Sequence, residues 1–137
     1  FKRLMGTSCA AEARDADETE RVWFVSPGHP IVDGFDDRYI EFEDSQVTVE
    51  PFDIPEPDQL VMISWLEGGE VFRSGCCFRR GNGRIFFFAP GHETYPVYHR
   101  DDVQQIIGNA VEWAAPTDGP PLPTEFGFVD AVEPIDD

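Results

Sequence analysis

An α/β fold is predicted by three stretches of the sequence. "LVMISW", Leu60 to Trp65, lacks polar alternation, as a strand covered on both faces of a parallel sheet would. "RIFFFAPGHE", from Arg84, runs four large apolar residues into a proline, a glycine, a histidine and a glutamate, a buried strand ending in a rigid polar tip. Val103, Ile106, Ile107, Ala110, Val111 and Ala114 recur at helical spacing and form one apolar stripe.

The elements follow in order. "FKRLMG" has Phe1, Leu4 and Met5 at helical spacing and reads as the tail of an amphipathic helix that begins earlier. Thr7 to Glu20 is polar and acidic, a loop or a solvated helix. The first strand is expected at Val22 to Val25, closed by Ser26, Pro27 and Gly28. A loop with a short turn is expected over "HPIVDGFDDRYIEFED", followed by a half-buried strand at "QVTVE" and a connection, "PFDIPEPDQ", whose prolines forbid a helix. After the Leu60 to Trp65 strand, "EGGE" makes a turn. "VFRSGCCFRR" and "RIFFFA" flank "GNG", a hairpin signal because glycine and asparagine tolerate positive φ. Asp101 or Asp102 can cap the last helix, with Gln104 or Gln105 completing a capping box. Residues 116–137 form an acidic, proline-rich tail in which Phe126, Phe128 and Val129 could dock on the body. Strands covered on both faces need helices on both faces, yet one long helix is evident. Half a sheet is therefore expected to be missing.

Composition narrows the function. A chain of 137 residues with 27 acidic and 10 basic side chains carries a net charge of -17, which repels nucleic acid and anionic lipid. Lys2 is the sole lysine. Such a surface strains itself at low ionic strength and is relieved when salt near 1 M shrinks the screening length to about 3 Å, so a halophilic cytoplasm is expected, with an ordinary acidic protein as the alternative. No apolar run approaches the roughly 20 residues of a membrane span, and no signal segment is evident, which reads as a soluble, unexported protein. Cys9, Cys76 and Cys77 are odd in number, with two adjacent, which fits a reducing compartment better than a disulfide framework.

Histidines carry the site expectation. If the strands ending at Val25 and Ala89 are parallel, His29 and His92 emerge at the same edge of the sheet, each just after a glycine, Gly28 or Gly91, that permits a sharp turn. His92 beside Glu93 supplies a group titrating near neutrality and a carboxylate to orient it. With His29 the pair could hold a divalent metal such as zinc, although the spacing of a helical zinc motif is absent, and both histidines could equally well bond loop backbone. Tyr95, Tyr98 and His99 could line a sugar-sized pocket, or the tyrosines could pack the loop on the last helix. Glu67 and Arg73 are further substrate-binding candidates, or a solvated ion pair. Cys9 lacks a basic neighbour and a nucleophile elbow, and Cys76 and Cys77 lie on opposite faces of a strand, at least one of them in the core.

"FKRLMGTSC", "GHPI", "PFDIPEPD", "SWLEGGEVFRSGC", "RGNGRIFFFAPGHETYPVYH" and "VQQIIGNAVEWA" together resemble the ThuA-like trehalose utilization family. The resemblance covers residues 1–115 as the C-terminal part of such a domain. It implies a class I glutamine amidotransferase-like fold, a flavodoxin-like α/β sandwich, here lacking its N-terminal half. It further implies that His92 and Glu93 stand where amidotransferases keep their histidine and acid. The nucleophilic cysteine is not kept in this family, so glutamine hydrolysis is not implied. The implied role is catabolism of trehalose and related disaccharides, beside sugar oxidoreductases that make keto-sugars. A small-molecule sugar is thus the expected partner, with homo-oligomers possible and no nucleic acid or membrane. A non-catalytic carbohydrate-binding or regulatory protein is the alternative. Gln46, Val47, Thr48 and Val49 replace a family acidic-Met-Tyr-Gly stretch, Glu12 and Ala13 replace a lysine–tryptophan pair, and Ala89 stands where an arginine is usual.

Overall fold

The computed structural model describes residues 12–49, 54–91 and 96–116, with backbone alone for 12–17 and 44–49. The expectations for Phe1 to Met5, Cys9, His92, Glu93, Tyr95 and the 117–137 tail lie outside the described residues. Five strands form one sheet in the order β2-β1-β3-β4-β5. They are β1 (Glu12–Phe24), β2 (Tyr39–Val49), β3 (Gln59–Leu66), β4 (Val71–Arg80) and β5 (Gly83–Phe88). One helix, α1 (Asp101–Ala114), and two 3-10 turns, Pro30–Val32 and Pro96–His99, complete the described elements.

Every described strand pairing is antiparallel, which corrects the parallel sheet expected from "LVMISW". The apolar run has another cause. One face of β3 sends Met62 into the main core with Val22, Phe24, Val103 and Ile106, while Leu60 on the other packs against a second cluster of Ile54, Cys76 and Phe78. Both faces of the strand are thus covered in part, and among the described residues only one of them by a helix. The coarse expectation of a sheet with a packed helix stands.

β1 begins ten residues before its expected start at Val22, which overturns the loop or solvated helix at 7–20 over its described part. Likewise "YIEFED" is strand, the first half of β2, and not loop. The two strands make a long ribbon in which Trp23 faces Tyr39 and Glu12 faces Val49, interrupted by irregular register around Glu18. The hairpin at "GNG" forms as expected, with Arg80 paired to Gly83 and Gly81 at φ 60°.

α1 buries Val103, Ile106 and Ala110, while Ile107 and Val111 are exposed, so the stripe is narrower than its sequence suggests. Its N-cap is Arg100, without a side-chain cap bond, in place of Asp101 or Asp102. Asp102 accepts from the Val103 amide at 2.8 Å and from Arg100, a clamp that holds its carboxyl below the usual carboxylate range against the opposing effect of burial. At the other end Arg84 donates to the Trp113 carbonyl at 2.6 Å, placing a cation at the negative end of the helix dipole.

Gly75 lets β4 lie close to Met62: a Cβ there would stand 2.8 Å from the Met62 Cβ and 3.0 Å from its sulfur. Met62 is fully buried and cannot retreat. Gly75→Val is therefore expected to lower stability by about 2 to 3 kcal/mol through overpacking, measured by urea unfolding. An unchanged midpoint would refute this account of the β3–β4 contact.

Candidate functional site

His29 is positioned by the loop after β1. The Val25 and Ser26 amides both donate to the Val61 carbonyl, at 3.0 and 3.4 Å, and the Ser26 hydroxyl donates to Leu60 O at 2.7 Å. These bonds fasten the loop to the start of β3. Gly28 contributes no left-handed turn, since the positive-φ glycines among the described residues are Gly34, Gly69, Gly81 and Gly91. His29 caps the Pro30–Val32 turn, with Nδ1 accepting from the Ile31 amide at 3.2 Å.

The other ring nitrogen, Nε2, lies 3.2 Å from Gln59 Oε1 and 3.9 Å from Cys77 Sγ. Because Nδ1 accepts and a carbonyl oxygen can only accept, the proton sits on Nε2 and the imidazole is neutral. The Trp113 ring, 5.4 Å away centroid to centroid, covers it from the last turn of α1, and the side chain is 8% exposed. Burial lowers the His29 pKa, partly countered by the Gln59 bond. Cys77 beside it is pushed up to about 12, chiefly by burial and then by the neighbouring Cys76 and Asp58, so it stays a thiol and does not act as a nucleophile. Both Cys76 and Cys77 are core residues, on opposite faces as their adjacency implies.

His29 thus spends both nitrogens inside the protein. To ligate a metal it would have to give up the Ile31 or the Gln59 bond. Among the described residues no group of three or more histidine, cysteine, aspartate or glutamate side chains could hold a metal ion.

The parallel-strand premise for bringing His29 and His92 together fails, because β1, β3, β4 and β5 alternate in direction. Phe24, Met62, Gly75 and Phe88 are successive register partners, so β1 and β5 end level with each other but pointing opposite ways. Beyond β5, the Ala89 amide donates to Ser74 O at 2.9 Å, Pro90 is buried, and Gly91 turns at φ 99°, the left-handed region that favours glycine. That turn is the described approach to His92.

The other candidates are spread out. His99 is exposed at the end of the Pro96–His99 turn, next to the N-terminus of α1, whereas His29 sits at the last turn of that helix. A 14-residue helix separates them, about 20 Å at 1.5 Å per residue. Val97, not Tyr98, packs this turn into the core; Tyr98 is 44% exposed and its carbonyl accepts from Gln104 Nε2. Glu67 is exposed in the β3–β4 turn, where its amide donates to Thr19 O at 3.2 Å. Arg73, half-buried on β4, directs Nη2 to the Ile54 carbonyl at 3.2 Å.

Sequence reasoning missed Gln59, Cys77 and Trp113 as the His29 surroundings, since contacts between distant segments leave no local pattern. It also missed the cluster of Arg21, Trp23, Tyr39 and Glu41. There the alternation of "RVWF" and "YIEFE" was a signal, visible once both segments are read as strands.

Among the described residues no helix is long and apolar enough to cross a membrane. A family model described as ThuA, trehalose utilisation, matches residues 1–114. The matched span is the N-terminal portion of this chain, which overturns the reading of the chain as a C-terminal fragment of such a domain. No curated protein matches it.

Proposed function

The chain belongs to the ThuA, trehalose utilisation, family, and on that premise we propose that it processes a sugar or keto-sugar by acid–base chemistry at His92. The general role in carbohydrate utilisation comes with the family; the chemistry is our reading. The observation that supports it is the path of the chain up to Gly91, just before the His92–Glu93 pair. Phe86 and Phe88 pack onto the main core, Ala89 is bonded to β4, and Gly91 makes the left-handed turn immediately before His92. A histidine that follows such a turn could take a proton from a hydroxyl or from carbon beside a ketone, with the adjacent Glu93 to fix its tautomer. His29, with both ring nitrogens bonded inside the protein, is read as a structural residue that holds its own loop. The fold is read in finer terms as class I glutamine amidotransferase-like, supported by the α1 helix packed on the sheet.

Turnover of a keto-disaccharide by the full chain, lost in His92→Ala, is the test. Turnover unaffected by that change would refute it. The second reading, a non-catalytic carbohydrate-binding or regulatory protein, is favoured by the separation of His29 from His99 at opposite ends of α1. It predicts sugar binding without turnover.

We also read the protein as adapted to a salty cytoplasm. With a net charge of -17, raising KCl from roughly 0.1 M to roughly 2 M is expected to raise the melting temperature by several degrees as screening removes self-repulsion. A melting temperature that is flat or falling over that range contradicts it.

A further inference from the structure

The face of the sheet opposite α1 carries an aromatic grid that no described element packs over. Across β2, β1 and β3, Tyr39 pairs with Trp23 and Trp23 with Ile63; two residues along, Glu41 pairs with Arg21 and Arg21 with Trp65. In antiparallel strands, residues directly opposite share a face, so these six side chains project together. α1 and the two 3-10 turns pack on the other side with Val22 and Phe24. The Ile54 segment covers only the part of this face near Leu60, Cys76 and Phe78. Trp23 and Tyr39 remain 36% and 37% exposed, an adjacent aromatic pair open to solvent.

The polar members are fixed in place. Arg21 Nε donates to Glu41 Oε2 at 2.9 Å and Nη2 bonds the same oxygen. Both bonds use one carboxylate oxygen, so Oε1 is left to accept and Nη1 to donate elsewhere. The guanidinium lies 4.7 Å from the Tyr39 ring centre and 5.6 Å from that of Trp23, and the two rings stand 4.9 Å apart at 47°. Cation–π contact and the ion pair together hold Arg21 rigid before any ligand arrives, and the Glu41 bond raises the Arg21 pKa, so its charge is permanent.

We infer that this face is a carbohydrate-binding site, separate from the chemistry assigned to His92, for a neutral glycoside of disaccharide size. Aromatic rings accept the apolar C–H faces of sugars, while a fixed guanidinium donates to, and a fixed carboxylate accepts from, adjacent hydroxyls, which are both donors and acceptors. Neutrality follows from charge. Glu41 cancels Arg21, and a chain of net charge -17 repels anionic sugars. Three strands at about 4.8 Å spacing span about 10 Å, room for two sugar rings side by side. The choice of ligand rests on the family's carbohydrate role and not on the chemistry assigned to His92, so the two can fail separately.

The test is a titration of the full chain with α,α-trehalose, following the indole N–H resonances of Trp23, Trp65 and Trp113. The Trp23 and Trp65 signals are expected to shift saturably, while Trp113, on the far side of the sheet beside His29, stays still. Trp23→Ala and Arg21→Gln should each weaken binding about tenfold or more. Arg21→Gln keeps the aromatic surface, so it decides the matter if Trp23→Ala fails to fold. Silence at Trp23, or full affinity in both variants, overturns the site. A concentration-dependent dimer dissolved by Trp23→Ala would assign the face to a second copy of the chain, which also overturns it.

Discussion

Replacing His29 with alanine is expected to cost the fold about 3 kcal/mol. The cap bond to the Ile31 amide contributes about 1 kcal/mol, the Gln59 bond about another, and loss of the imidazole beside Trp113 and Cys77 leaves a cavity worth about 1 kcal/mol more. The effect should spread along one route. The turn capped by His29 offers the Ile31 and Asp33 carbonyls to Asn109 at 3.1 and 3.0 Å, and Asp33 O also accepts from Gln105, so loosening the cap loosens the C-terminal half of α1. Amide exchange of α1 should quicken from Ile106 onward in the variant, and urea unfolding should report the loss.

The same residue sets a pH dependence whose sign is fixed by burial. The folded His29 pKa lies below its unfolded value, so the unfolded chain binds a proton first. The stabilisation is complete above the unfolded value, near pH 6.5, and declines as pH falls through the window between that and the lower folded value. Protonation at Nδ1 would turn an acceptor into a donor facing the Ile31 amide. Between about pH 7.5 and about pH 5 the wild type should lose more stability than His29→Gln. Equal losses would show that the imidazole is not held neutral by its surroundings.

His92→Asn is expected to lower kcat on a keto-disaccharide by about 10²- to 10⁴-fold, the range supplied by a positioned general base. KM should hold nearly constant, because a proton-transferring side chain acts in the transition state and not in ground-state binding. Removing substrate-binding surface would do the reverse. The kcat-against-KM split therefore separates His92 from the aromatic face around Trp23, whose loss should raise KM or leave turnover untouched.

How legible all this was in the sequence depended on burial. The apolar core of β3, the β4–β5 hairpin and α1 were readable because each places its large residues where packing demands them, as Met62, Phe78 and Ile106 show. The N-terminal part of β1 was not. It pairs with β2 in a ribbon whose pattern is polar and acidic, and a strand held chiefly by ladder hydrogen bonds leaves little hydrophobic period. Strand direction was misread for a related reason: cover on both faces of β3 came from loop and core clusters, not from helices on two sides. His29 stood out in the sequence as a candidate, but its surroundings did not, since Gln59, Cys77 and Trp113 come from three other elements.

The central claim is proton transfer at His92 in a carbohydrate-utilisation protein. Its most direct measurement is the pH profile of kcat/KM for a keto-disaccharide, wild type beside His92→Asn at matched salt. The account predicts an ascending limb near neutrality in the wild type, reporting an imidazole base, and its disappearance with the activity in the variant. A limb that persists in His92→Asn at undiminished rate would contradict it.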